Sequence, residues 1–163
     1  MNANVNAQAQ IKRVAQISRN DQMNRIAVYS FDDENIAGLF SNNLYGKELP
    51  FGNLMTMLLM IENCMNSISW PQQMSDHRKL LNLSQIKSRK KSSRGNIIRL
   101  PEMTSPPDWE TEKPLATFGL QILFRTVSGW QGVVHCYETG HSKKFISDLE
   151  LITFMISELR RKS

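Results

Sequence analysis

Residues 117–126, "TFGLQILFRT", alternate in the manner of a half-buried strand apart from Leu123, which puts Phe118, Leu120, Ile122 and Phe124 on one side of the chain. A period of two is the mark of a half-buried strand, because successive side chains point to opposite faces. "GWQGVVHCYETGHSKKF" then reads as strand, turn and short strand. Earlier, "RIAVYSF" at 25–31 is short, β-branched and aromatic, and polar "DDEN" follows it. That texture predicts a strand and a turn, with a second extended stretch in "IAGLFSNNLYG".

Two other stretches bunch their apolar residues. "GKELPF" leads into a segment from Asn53 to about Ile68 that is too long for a strand and has Asn53 placed as an N-cap, so a helix is predicted. Its apolar positions, from Leu54 and Met55 through Met57–Ile61 to Cys64, Met65 and Ile68, wrap far more than one stripe. Such a helix should be covered on more than one side. "WPQQ" ends it, since the residue before Pro71 disfavours helical geometry. Near the chain end, Ser147 is an N-cap with Glu150 three residues on, a capping box, and Ile146 is placed to staple onto Leu151. A helix over about 148–161 follows, closed by "RRK", whose charges suit the C-terminal end of the helix dipole.

Laying residues 36–61 over 130–155 brings Gly38 onto Gly132, Gly46 onto Gly140, Phe51 onto Phe145 and the cap Asn53 onto the cap Ser147. Met55, Met57, Leu58, Met60 and Ile61 then meet Leu149, Leu151, Ile152, Phe154 and Met155. The expected fold class is α+β: two tandem strand-strand-helix units, related by internal duplication, forming an antiparallel sheet with the helices on one face. One such unit leaves an open sheet face and an apolar helix face, so two together bury what neither can alone, as a pseudo-twofold pair or a continuous sheet. The plainer account is that any two units of this type share glycine turns and caps, and three positions are identical.

Composition sets the frame around these units. With 163 residues and 40% hydrophobic content the chain supports one ordinary core, or two small ones sharing a surface. Residues 1–24, rich in Asn, Gln and Ala with few apolar anchors, are expected to form a disordered or loosely helical arm. The first unit is placed at 25–74, a linker at 75–116 and the second unit at 117–163. The longest apolar run, "LMTMLLMI" at 54–61, is stopped by Glu62 and Asn63, well short of the roughly 20 residues of a membrane span. "MNANVNAQAQIKRVAQ" lacks the apolar core of a secretion signal, and two cysteines are too few for a disulfide framework. A cytoplasmic location and no membrane partner are the expectations.

The run "LFRTVSGWQGVVHCYETGHSKKFISDLELI" resembles a pattern in small uncharacterised proteins of anaerobic Gram-positive bacteria, where an "FR…WQG…G…F.S..EL" frame closes the chain. "LPFGNLMTMLLMIENCMNSISWPQ" is similar to their first half. The resemblance supports the boundaries and brings no chemistry with it.

Candidate chemistry is sparse. "HCYETGH" gathers His135, Cys136, Glu138 and His141 within seven residues, which raises a metal site or a thiol nucleophile. On a strand His135 points away from Cys136, and no second CxxC or HxxxH supplies further ligands, so a structural cysteine with two surface histidines is the expectation. The chain has no Walker-type loop, no GxSxG and no HExxH. Asp32, Asp33 and Glu34 read as a solvated turn and Trp130 as packing. No cofactor, metal or catalytic residue is assigned.

One anomaly is compositional. Between His77 and Leu100 the chain carries Arg78, Lys79, Lys87, Arg89, Lys90, Lys91, Arg94 and Arg99 with no acid among them. Without these eight the net charge of +5 becomes −3, so the basicity is local to a linker. "PEMTSPPDWETEKP" follows with four acids against one lysine, and the two stretches can pair with each other. The alternative is contact with a polyanion such as nucleic acid, without any instrument for base readout. The reading that comes first is a non-enzymatic protein-interaction or regulatory module, self-associating as a homodimer through the broad apolar helix. A nucleic-acid-binding accessory protein that uses residues 78–99 as an arm comes second, and an enzyme third.

Overall fold

The computed structural model describes residues 22–32, 35–43, 46–68, 70–71, 73–74, 113–126 and 129–162. The proposed arm up to residue 21 and the connector 75–112, with all eight of its cations, lie outside the described residues. Among the described residues there are seven strands: β1 (Met23–Asp32), β2 (Asn35–Asn42), β3 (Lys47–Phe51), β4 (Gln73–Met74), β5 (Ala116–Thr126), β6 (Gly129–Cys136) and β7 (Ser142–Phe145). The same residues form two helices, α1 (Leu54–Ile68) after β3 and α2 (Asp148–Arg160) after β7. The class is α+β, and each half contributes three strands before its helix rather than the expected two.

Six strands form one antiparallel sheet in the order β3-β2-β1-β5-β6-β7, and β4 pairs in parallel with the end of β5. Each half is a local meander, and the two meet along a single seam where β1 and β5 pair from Met23↔Gln121 to Val28↔Ala116. The outcome is a continuous sheet, in which neither half has a core of its own. Alternation places Ile26, Val28, Phe40, Phe118, Leu120 and Val134 on the face that receives both helices. Met57, Met60, Ile61 and Met65 from α1 and Leu151, Phe154, Met155 and Leu159 from α2 complete one core cluster.

The halves share their register. Gly38 and Gly132 are 94 residues apart, and the same separation carries Val28↔Gly38 onto Ile122↔Gly132 and Gly38↔Phe51 onto Gly132↔Phe145. It also carries the irregularity between Val28 and Ser30 onto that between Ile122 and Phe124. In the helices, buried Met57, Met60, Ile61, Cys64 and Met65 correspond to buried Leu151, Phe154, Met155, Glu158 and Leu159.

The helix starts follow their caps: Asn53 Oδ1 accepts from Thr56 N at 2.8 Å, and Ser147 Oγ from Glu150 N at 3.3 Å. Glu150 Oε2 in return accepts from Ile146 N at 3.0 Å. The hydrophobic staple does not form, because Leu151 is fully buried in the core while Ile146 stands 70% exposed. The breadth of α1 is used inside the chain: Thr56 and Asn63 are buried as well as its apolar ridge, and Met55 alone of its apolar side chains is exposed. The breadth of this helix is therefore no argument for a second copy.

Candidate functional site

Residues directly opposite one another across an antiparallel pair share a face. One transverse row on the helix-free side thus runs Glu48, Ser41, Arg25, Gly119, His135, Ser142, from the β3 edge across the seam to the β7 edge. Flanking it, half-buried Leu39, Pro50 and Val133 give the same face an apolar component. Strands lie about 4.8 Å apart, so the Cα atoms of Arg25 and Glu48, two strands from each other, are separated by about 10 Å.

Gly119 explains how the row is furnished. A Cβ there would come 2.7 Å from the Tyr137 hydroxyl oxygen, so the absence of a side chain lets the Tyr137 ring lie on the sheet. That ring meets His135 edge-on, with centroids 4.9 Å apart, and His135 Nδ1 is hydrogen-bonded to Ser142 Oγ at 2.7 Å. On the other side of Arg25 the face stays open as a pocket of 420 Å³, lined by Met23, Arg25, Ser41, Asn42, Asn43, Gly46, Glu48 and Tyr137. Gly46 turns the β2–β3 hairpin at its rim with φ 64°, a left-handed value that glycine takes without strain. Arg25 and Glu48 are exposed, and among the described residues neither is engaged in an ion pair.

The "HCYETGH" residues are spread over three environments. Cys136 faces the core and is fully buried, while His135 lies on the opposite side of the sheet. Glu138 Oε2 accepts the Thr117 backbone N–H at 2.7 Å and lies 3.7 Å from Cys136 Sγ. Desolvation alone would raise the Glu138 carboxyl, but that backbone donor and the Lys162 charge bring it below its ordinary value. His141 Nδ1 is 3.1 Å from Glu158 Oε2, a carboxylate 2% exposed that also accepts from Thr139 Oγ1 at 2.6 Å and from Arg161 Nη1 at 3.1 Å. Burial pushes the Glu158 carboxyl up, and these donors more than offset it, so its pKa is lowered. The arrangement ties the β6–β7 turn to α2. Among the described residues no three His, Cys, Asp or Glu side chains are grouped to hold a metal. Burial pushes the other thiol, Cys64, up to about 11, which keeps it protonated and a poor nucleophile at neutral pH.

A second polar group joins the halves from inside. Arg125 Nη1 donates to Asn66 Oδ1 at 2.8 Å and to Glu62 Oε1 at 3.4 Å, and Trp130 Nε1 donates to Glu62 Oε2 at 3.0 Å. Trp130 is 6% exposed and packs in the core, as its place at a strand start suggested.

Arg78, Lys79, Lys87, Arg89, Lys90, Lys91, Arg94 and Arg99 all lie outside the described residues. Arg25, Ser41, Glu48 and Tyr137 were not singled out by sequence reasoning. The alternation around Arg25 could have put it on the polar side of a strand, but its neighbours follow only from the register. No protein-family model matches the chain, and neither the curated proteins nor the solved structures contain a significant match.

Proposed function

We propose that the chain is a non-enzymatic interaction module, built from two copies of one strand-and-helix unit, that docks a partner protein on the helix-free face of its sheet. The observation that carries the docking reading is the composition of that face. Leu39, Pro50 and Val133 are half-buried around a central row that holds Arg25 and Glu48, with the Tyr137 ring lying over Gly119 of the same row. Arginine and tyrosine among desolvatable apolar neighbours are the usual anchors of protein interfaces. The duplication is supported by the constant 94-residue separation of registers, bulges and buried helix positions. A cytoplasmic setting belongs to the same reading and fits two buried, unpaired thiols.

A photo-crosslinking residue placed at Leu39 or at Val133 in the intact chain, in its native cell, tests the docking face. Adducts to another protein are expected from both positions and not from exposed Thr153 on α2. Equal yields from all three, or none from the sheet positions, would overturn the reading. Polyanion binding by residues 78–99 is the second reading, favoured by the charge arithmetic that leaves the rest of the chain at −3.

A further inference from the structure

We infer that the pocket beside Arg25 recognises a short extended segment of a partner protein that carries one acidic and one basic side chain two residues apart. The acid would be held by Arg25 and the base by Glu48. This rests on the sheet face being the docking face and names what that face selects.

The two halves differ most where the pocket lies. Ninety-four residues on, Arg25 is matched by Gly119, Ser41 by His135, Glu48 by Ser142 and Asn43 by Tyr137. In the second half this position is filled, with the Tyr137 ring over Gly119 and His135 hydrogen-bonded to Ser142. In the first half it is a 420 Å³ hollow that holds opposite charges on its two sides. Arg25 and Glu48 leave the same face of the sheet with Ser41 between them. Among the described residues neither charge is spent on an ion pair, so both can be used by a ligand without breaking a contact. A ligand of one sign alone would meet repulsion from Glu48 or Arg25, whereas a segment with both signs meets neither. In an extended segment residues i and i+2 share a face about 6.8 Å apart, a spacing that flexible side chains bring to two groups on alternate strands. Tyr137 and Met23 supply apolar walls for the backbone between them. Arg25 near the seam also argues against a second copy stacked face to face about that point, because its own symmetry mate would lie close by.

The probe is acetyl-Asp-Ala-Lys-amide, titrated against the full chain while NMR follows the amides of Ser41 and Gly46 and the side-chain Nε–H of Arg25. Saturable shifts at these positions are expected. Replacing the peptide's Asp by Asn, or its Lys by Gln, should each weaken binding about fivefold, the size of an exposed ion pair. Arg25→Gln should erase the first difference and Glu48→Gln the second, a cycle that a nonspecific surface would not close. Both side chains are exposed, so the variants should fold, which circular dichroism checks. Free trialanine, whose charges are its chain ends, should bind more weakly. Tighter binding of trialanine, or unmoved resonances with the charged peptide, would overturn the inference. If the crosslinks from positions 39 and 133 persist in that case, the docking face stands and only its selectivity is wrong.

Discussion

Four glycines show how much a single missing side chain decides here. At Gly38 and Gly132 a Cβ would collide with the carbonyl oxygens of Ala27 and Gln121, each beside a bulge in the facing strand. At Gly46 and Gly140 nothing lies near, and the demand is on φ alone, 64° and 74°. Gly132→Ala should therefore cost about 2–4 kcal/mol, because backbone must move, and Gly140→Ala only about 1–2 kcal/mol of left-handed strain. Urea denaturation of the two variants should give midpoints in that order. A buried acid sets the behaviour at low pH. The Glu158 pKa is lowered in the folded chain, so its stabilising effect is present above the unfolded value, near 4.3 for a glutamate, and is lost as pH falls through the folded value. Glu158→Gln should be less stable at neutral pH and flatter in its dependence on pH below about 4.3, as thermal melts across that range would record.

At the scale of elements, the two halves solve one location in opposite ways. Where the second half has Arg125 and Trp130 bonded to Glu62 of α1, the residues at the 94-residue separation are Phe31, Ile36 and Ile156. Removing one partner of a buried ion pair is costly, while replacing both by apolar groups is close to neutral. Glu62→Ile alone should thus destabilise by about 1–3 kcal/mol, since it takes the acceptor from the Trp130 N–H and leaves the Arg125 charge with the neutral Asn66 in place of a carboxylate. Glu62→Ile with Arg125→Phe should recover most of that loss, measured as a double-mutant cycle. Much at this scale was legible beforehand. The caps Asn53 and Ser147 and the glycine turns are local signals, and both helices begin where the caps put them. β3 was read only as the lead into α1; its Pro50, which cannot donate to a ladder, is tolerated because β3 is an edge. The bulges and β4 left no local mark. The pocket was hidden for a related reason: residues 25, 41, 48 and 137 become neighbours only once strand order and register are known.

For the molecule as a whole, charge and architecture are separate. If about four of the eight linker cations meet duplex DNA, log affinity should fall against log salt with a slope of about −3.6. Replacing Arg89, Lys90, Lys91 and Arg94 by Gln should remove most of that slope in gel shifts and leave the melting temperature unchanged. Unaltered, salt-steep binding by the variant would end the linker reading. The seam between β1 and β5 carries a different implication. Arg25 pairs with Gly119, its own counterpart at the 94-residue separation, so the junction is antiparallel and near-symmetric about that point. A first half can meet a second half from its own chain or from a neighbour's through the same pairings. Between Met74 and Lys113 lie 38 residues, a chain length greater than that of β5. Refolding at high protein concentration should therefore trap exchanged dimers, with every native pairing intact and its partner swapped, and dilution should slowly return them to single chains.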